Sequence, residues 1–130
     1  MAVFSFSKSS KLLSASDYSR VFSNTQAKAA CPELLIIASA NDRKQPRLGL
    51  VIAKKHVKLA TQRNRLKRLI RENFRLRQHT LPALDIVVLA RKGIVNLDNP
   101  DVSRVLDKQW RRLCNRAQAA TDNKVESKQC

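Results

Sequence analysis

The chain has 130 residues, with 26 Lys or Arg against 10 Asp or Glu and a formal net charge of +16. A chain of this length suits one domain with a real core, and so high a charge destabilises the compact state unless an anionic partner neutralises it. No apolar run approaches the roughly 18 residues of a membrane span, and residues 1–11 lack the apolar core of a signal peptide. The sequence therefore predicts a cytoplasmic protein with no membrane partner.

The first predicted element is a short helix near the start of the chain. Ser14 or Ser16 can cap it, because a serine side chain accepts a hydrogen bond from the first helical turn. Tyr18, Val21 and Phe22 then follow at i, i+3 and i+4, a spacing that puts them on one side of a helix. The pattern predicts two amphipathic turns.

Two strands are predicted next. Residues 34–40 form an apolar run between Pro32 and a polar loop at 41–46, which is typical of a mostly buried strand. Residues 47–53 alternate apolar positions with small or charged ones, as expected for a strand with two different faces. Because only a short loop separates the two strands, we expect them to pair in a hairpin.

A long helix follows, beginning between Val57 and Thr61 and ending by Thr80, because Pro82 cannot continue it. Its apolar residues recur at the i, i+3, i+4 spacing of a buried helical stripe. The stripe consists of Leu66, Leu69, Ile70 and Phe74 and is interrupted by Asn73.

The opposite side of this helix is strongly cationic. Residues 54–77 include ten Lys or Arg and one acid, Glu72. An ordinary solvated helix face carries i, i+4 pairs of opposite sign, whereas here like charges follow one another and mildly destabilise the helix. The pattern favours a polyanion-binding surface. We name it the basic ridge: Asn64, Lys67, Arg68, Arg71 and Arg75, flanked by Arg63 and Arg65.

The last predicted elements are a strand over 85–90 and a helix that starts at Asn99, with Pro100 and Asp101 in its first turn. Trp110 lies beside the apolar stripe of that helix, which favours a core position over a base-stacking one. From residue 119 onwards the composition is polar.

The element order, α-β-β-α-β-α, predicts an α+β fold: a two-layer α/β sandwich in which helices pack on a small central sheet. We expect a single domain over residues 1–118 and a flexible polar tail over residues 119–130. The polar side of the long helix remains available for a partner in such an arrangement.

Residues for catalysis by the polypeptide are missing. The ten acids are scattered without metal-ligand spacing, and the three cysteines do not form a zinc set with His56 and His79. The two histidines bracket one helix and would be about 30 Å apart. Gly49 and Gly93 are the only glycines, which rules out a glycine-rich phosphate loop. The sequence predicts no catalytic residue and no metal site in the polypeptide.

The central motif resembles a known family. The run from Gln62 to Glu72, with its Arg-Asn-Arg triplet followed by Lys-Arg, is similar to the signature of bacterial ribonuclease P protein subunits, and Lys54 and Lys55 precede it as expected. The likeness covers roughly residues 10–117 and is closest to proteobacterial members. It implies a left-handed β-α-β crossover through the basic helix.

The resemblance implies a protein that assists a catalytic RNA in removing 5′ leaders from precursor tRNA. That RNA would hold most of the Mg²⁺ and perform the chemistry, so the chain would be an enzyme subunit with no obligate protein partner. Tyr18 and Phe22 match the family's leader-binding aromatic positions. The implied contacts to the catalytic RNA, with Arg75 added from the basic ridge, are Lys54, Lys55, Arg63, Asn64, Arg65, Lys67, Arg68, Arg71 and Arg75.

Other interpretations stay open at this point. A ribosome-associated or other structural RNA-binding protein would need the same size and charge, and a DNA-binding module could insert the basic helix into a major groove. Asn64 can hydrogen-bond the first turns of its own helix instead of RNA. Phe22 can belong to the core instead of contacting a leader.

Overall fold

The computed structural model describes residues 15–41, 45–81 and 83–121, which form a four-stranded sheet and three α-helices. This architecture confirms the predicted α+β class. The elements are α1 (Ala15–Ser23), β1 (Ala27–Ala30), β2 (Leu34–Ala40), β3 (Arg47–Val51), α2 (Ala60–Arg77), β4 (Leu84–Ala90) and α3 (Asn99–Thr121), with 3-10 helices at Gln78–Thr80 and Lys92–Asn96.

The sheet has the strand order β1-β2-β4-β3, in which β4 runs antiparallel to β2 and parallel to β3. The predicted hairpin between β2 and β3 is therefore wrong, since β4 lies between them. Val88 of β4 is opposite Ile36 on one side and Leu50 on the other. Six of the seven residues of β4 are buried, so burial favours a central position for this strand over a short connection.

The main core lies on one face of the sheet, beneath α2 and α3. Alternate residues of each strand point into it, as the two-residue period of a strand requires. Trp110 is buried there, its ring meets Phe74 edge-on at a centroid distance of 6.1 Å, and its Nε1 donates a hydrogen bond to Asn73 Oδ1. The predicted core position of Trp110 is confirmed, and its polar partner also explains the polar interruption in the apolar stripe of α2.

The first helix packs on the opposite face. Val21 is fully buried against Ile37 and Val87, which point away from the main core. Four partly buried residues surround this small cluster: Tyr18, Leu35, Val51 and Leu89. With only nine residues, α1 covers part of this sheet face, so an apolar margin beside the helix stays accessible.

The predicted helix boundaries hold within a few residues. Helix α2 spans Ala60–Arg77, inside the expected limits. Helix α3 begins at Asn99 as expected, but its cap comes from Asp98, whose Oδ1 accepts the Asp101 N–H at 3.2 Å. The helix continues to Thr121. Ser14 and most of the predicted tail lie outside the described residues.

Helix α2 connects two parallel neighbouring strands, β3 and β4. The crossover passes over the main core, which fixes the apolar side of α2 against the sheet and leaves its other side outward. The left hand of this crossover stays a prediction. In the described part of the chain, no helix is long and apolar enough to cross a membrane.

Candidate nucleic-acid interface

The outward side of α2 carries the basic ridge. Leu66, Ile70 and Phe74 are fully buried on the inner side, so helical geometry turns the residues between them outward. The ridge lines a shallow groove of about 420 Å³. The structure brings five of the nine predicted contacts together there: Asn64, Lys67, Arg68, Arg71 and Arg75, together with Glu72.

The one acid in the groove is already paired. Glu72 forms an ion pair with Arg75 one turn later on the same helix. The hydrogen bond from Arg75 lowers the pKa of Glu72 below its ordinary value, so this carboxylate stays charged and offsets Arg75. Asn64 is exposed. Lys67, Arg68 and Arg71 are therefore the residues that give the groove its net positive charge.

The two flanking arginines also hold neighbouring loops in place, a role that the sequence did not suggest. Arg63 Nη1 donates to the backbone oxygens of Val57 at 3.0 Å and Lys58 at 2.9 Å. Arg65 donates to the side chain of Asn99 and to the backbone oxygen of Leu97 at 3.4 Å. Arg63 thus fixes the turn before α2, and Arg65 fixes the segment before α3.

Lys54 and Lys55 lie in the turn that joins β3 to α2, and both are exposed. The turn is closed by the backbone N–H groups of His56 and Val57, which both donate to Ala53 O, and Val57 is fully buried beneath it. This anchoring presents both lysines at the end of α2 where the Arg-Asn-Arg triplet lies. All nine predicted contacts therefore lie on α2 or the turn that precedes it.

Tyr18 is held firmly at the margin between α1 and the sheet. Its hydroxyl accepts the Leu50 N–H at 3.2 Å. Its ring lies directly over Gly49, where an added Cβ would be 2.7 Å from Cε2 and Cζ. The glycine therefore gives the ring its place, and the ring remains partly exposed.

Phe22 lies on the same helix, one turn after Tyr18, and is 49% exposed. The structure does not bury it in either core cluster, which decides against the core interpretation that the sequence left open. A large apolar side chain this exposed is available for contact with a partner.

A buried charge cluster attaches α1 to the sheet. Arg47 binds Asp85 through two hydrogen bonds, Nε to Oδ1 at 2.8 Å and Nη2 to Oδ2 at 2.7 Å, and both residues are nearly inaccessible. Asn41 donates to Asp85 Oδ1 at 2.9 Å. From α1, Asp17 lies 3.5 Å from Arg47, and Arg20 lies 3.7 Å from Asp85. The first helix is therefore positioned by charge as well as by apolar contact.

This cluster perturbs the titration of its carboxylate. Burial alone would raise the pKa of Asp85, but hydrogen bonds from Arg47 and Asn41 and the positive charges of Arg47 and Arg20 outweigh burial and lower it. The hydrogen bond with Asp85 in turn raises the pKa of Arg47. The pair is therefore fully charged near neutral pH.

Residues 15–41, 45–81 and 83–121 contain no group of three or more His, Cys, Asp or Glu that could hold a metal ion. The carboxylates described above are used in ion pairs or helix caps.

Known proteins are similar in sequence to this chain over nearly its whole length. The family model for ribonuclease P matches residues 6–114. The ribonuclease P protein component of Edwardsiella ictaluri is 48% identical over 120 residues, which cover 92% of this chain and 100% of the relative. The corresponding protein of Escherichia coli O157:H7 is 47% identical with the same coverage.

Solved structures share the fold. The RNase P protein of Staphylococcus aureus aligns with a TM-score of 0.73 and 26% identity, covering 78% of this chain and 93% of that chain. The RNase P protein of Thermotoga maritima aligns with a TM-score of 0.68 and 29% identity, covering 78% and 96%. The resemblance read from the Arg-Asn-Arg motif is thereby confirmed: the chain belongs to the ribonuclease P protein family, the protein component of the tRNA-processing ribonucleoprotein.

Proposed function

We propose that this chain binds the catalytic RNA of ribonuclease P and assists it in removing the 5′ leader of precursor tRNA. The observation that carries the proposal is the basic ridge, whose residues face outward on a helix anchored by three fully buried apolar side chains. A rigid cationic surface of this kind suits the regularly spaced phosphates of folded RNA. The RNA, in this proposal, holds the Mg²⁺ and breaks the bond.

The accessible margin beside α1 is the proposed leader site. On α1, Phe22 is exposed and Tyr18, one turn earlier, is partly exposed. Stacking of a base on an aromatic ring is worth about 1–3 kcal/mol and tolerates any sequence, which suits a protein that acts on many leaders. Because the hydroxyl of Tyr18 is bound to the Leu50 N–H, the ring of this residue would be preorganised for stacking.

The test is cleavage of precursor tRNA by the partner RNA over a range of Mg²⁺ concentrations, with and without the purified protein. We expect the protein to lower the Mg²⁺ requirement and to tighten precursor binding. If it does neither, the proposal fails. Cleavage by the protein without RNA would contradict the assignment of the chemistry to RNA.

Phe22→Ala tests the leader site separately, because an exposed residue can be removed with little effect on folding. We expect weaker binding of precursor tRNA and unchanged binding of tRNA that lacks a leader. Leu76→Ala is a matched control, since Leu76 is a similarly exposed apolar residue, on α2. Equal losses for both substrates would remove Phe22 from the proposed leader site.

A further inference from the structure

A second concave site lies next to the basic ridge but outside it. It is formed between the turn that precedes α2 and the 3-10 helix Lys92–Asn96, with a volume of about 520 Å³, within the roughly 300–1,000 Å³ of small-molecule sites. The lining residues that matter here are Lys55, Lys58, Leu59, Lys92, Gly93 and Val95.

The pocket presents apolar side chains to solvent. Leu59 is 63% exposed and Val95 is 41% exposed. Of the four large apolar residues that are exposed in the described part of the chain, these two share one pocket. Two exposed aliphatic side chains on facing walls of a cavity are typical of a contact surface for a flat apolar group.

The charges around this pocket are all of one sign. Lys55, Lys58 and Lys92 are exposed around it, and no acid lines it. Helix α2 has no acid in its first turn, and Leu59 at its N-cap makes no side-chain capping bond. An occupant would therefore meet aliphatic walls inside the pocket and positive charge around it, which is the complement of a nucleotide.

The walls are held by contacts independent of any ligand. Arg63 binds the backbone oxygens of Val57 and Lys58, which fixes one wall. On the other, a Cβ added to Gly93 would be 3.0 Å from the backbone oxygen of Pro32, so the 3-10 helix packs tightly on the β1-β2 connection. A site fixed in this way avoids much of the entropic cost of ordering on binding.

We propose that this pocket receives the base of one unpaired nucleotide of RNA, with its phosphates against the surrounding lysines. The inference rests on the proposed function for its RNA partner, and it adds base contact to a surface otherwise suited to phosphates. Lys55 and Gln62 line the pocket and are close in sequence to the ridge, so one folded RNA can reach both. The site would favour RNA with a bulged or looped-out nucleotide over a continuous helix.

The experiment compares three hairpins of one sequence: one with a single bulged adenosine, one with an abasic nucleotide at the bulge, and one without a bulge. The abasic hairpin keeps the phosphates and the bend but lacks the base. We expect binding about fivefold tighter or more for the adenosine bulge than for the abasic bulge. The methyl NMR signals of Leu59 and Val95 should shift only with the base present.

Leu59→Ser should abolish the preference for the adenosine bulge without changing the salt dependence of binding, because no charge is altered. Leu76→Ser is the control, since Leu76 is 48% exposed on α2 but outside the pocket, and it should keep the preference. Equal binding of the adenosine and abasic hairpins, with unmoved Leu59 and Val95 methyl signals, would overturn the proposal. Binding of the ribonuclease P RNA could persist in that case, so the two proposals fail separately.

Discussion

Helices α1 and α2 are attached to the same sheet by opposite means. The sheet holds α2 through fully buried apolar side chains, and its charges point outward. It holds α1 through one buried valine, through Tyr18 and through a cluster of charges, of which Arg47 and Asp85 are almost completely buried. Charged residues, arginine above all, therefore support the fold beneath α1, whereas on α2 they remain available to a partner.

The comparison shows why charge alone does not identify a binding surface. A buried ion pair has already lost its water and depends on its partner, so removing one member leaves an uncompensated charge. An exposed arginine keeps its water, and its loss changes stability little. Replacing an arginine by alanine should therefore lower stability at the cluster beneath α1 and weaken partner binding on α2.

The largest effect is expected for Arg47→Ala. It leaves Asp85 buried without the two hydrogen bonds that Arg47 donates to it, and removing one member of a buried ion pair typically costs about 3–5 kcal/mol. The measurement is the free energy of unfolding in urea. Arg20→Ala is the control, because Arg20 is 53% exposed and an exposed pair contributes about 1 kcal/mol or less. Equal losses for the two variants would mean that the cluster is not effectively buried.

Part of the same stabilisation should depend on pH. The pKa of Asp85 is lowered in the folded protein, so its contribution is fully present above its ordinary value of about 3.8 and is lost as pH falls through the folded pKa. We expect the free energy of unfolding to fall less steeply in Asp85→Asn than in the wild type between about pH 5 and pH 3. Identical slopes would show that Asp85 does not couple protonation to folding.

Gly49→Ala should have an intermediate effect. The new methyl group would overlap the ring of Tyr18, and relieving such overpacking typically costs about 1–3 kcal/mol. The reason can be tested in a Tyr18→Ala background, where the ring is absent and the cost should disappear. If Gly49→Ala is equally destabilising there, the backbone and not the ring is responsible.

The sequence predicted α2 and its surface well because both depend on a local signal. The spacing of Leu66, Ile70 and Phe74 fixes which side is buried, and the basic ridge follows from the same period. The charge cluster could not be predicted in this way. Its two central members are 38 positions apart and lie on neighbouring parallel strands, and no periodicity links them.

Two errors in the predicted sheet, the missing strand β1 and the hairpin between β2 and β3, have the same origin. The strand β1 has the sequence Ala-Lys-Ala-Ala, which carries no β-branched or aromatic residue and so no strand signal. Its outer edge is covered by two arginines of α3: Arg116 donates to Lys28 O at 2.6 Å and Arg112 to Ala30 O at 3.5 Å. Long-range contacts of this kind decide which strands pair, and a single sequence does not display them.

The smallest expected change in stability separates the two kinds of arginine on α2 itself. Arg68→Ala should alter the free energy of unfolding by no more than about 0.5 kcal/mol, because Arg68 is exposed in the groove. Arg65→Ala removes hydrogen bonds to the segment before α3 and should cost about 1 kcal/mol. Urea unfolding of the two variants distinguishes them.

Although Arg68→Ala should hardly change stability, we expect it to weaken binding to the partner RNA. Losing one phosphate contact lowers the slope of log affinity against log salt by about one. Arg77→Ala is the matched control on the same helix, since it removes an equal charge that is already paired with Asp107 at 2.9 Å, and it should change the slope less. Equal slope changes for Arg68→Ala and Arg77→Ala would mean that RNA binding depends on net charge alone. The basic ridge would then not be a specific contact surface.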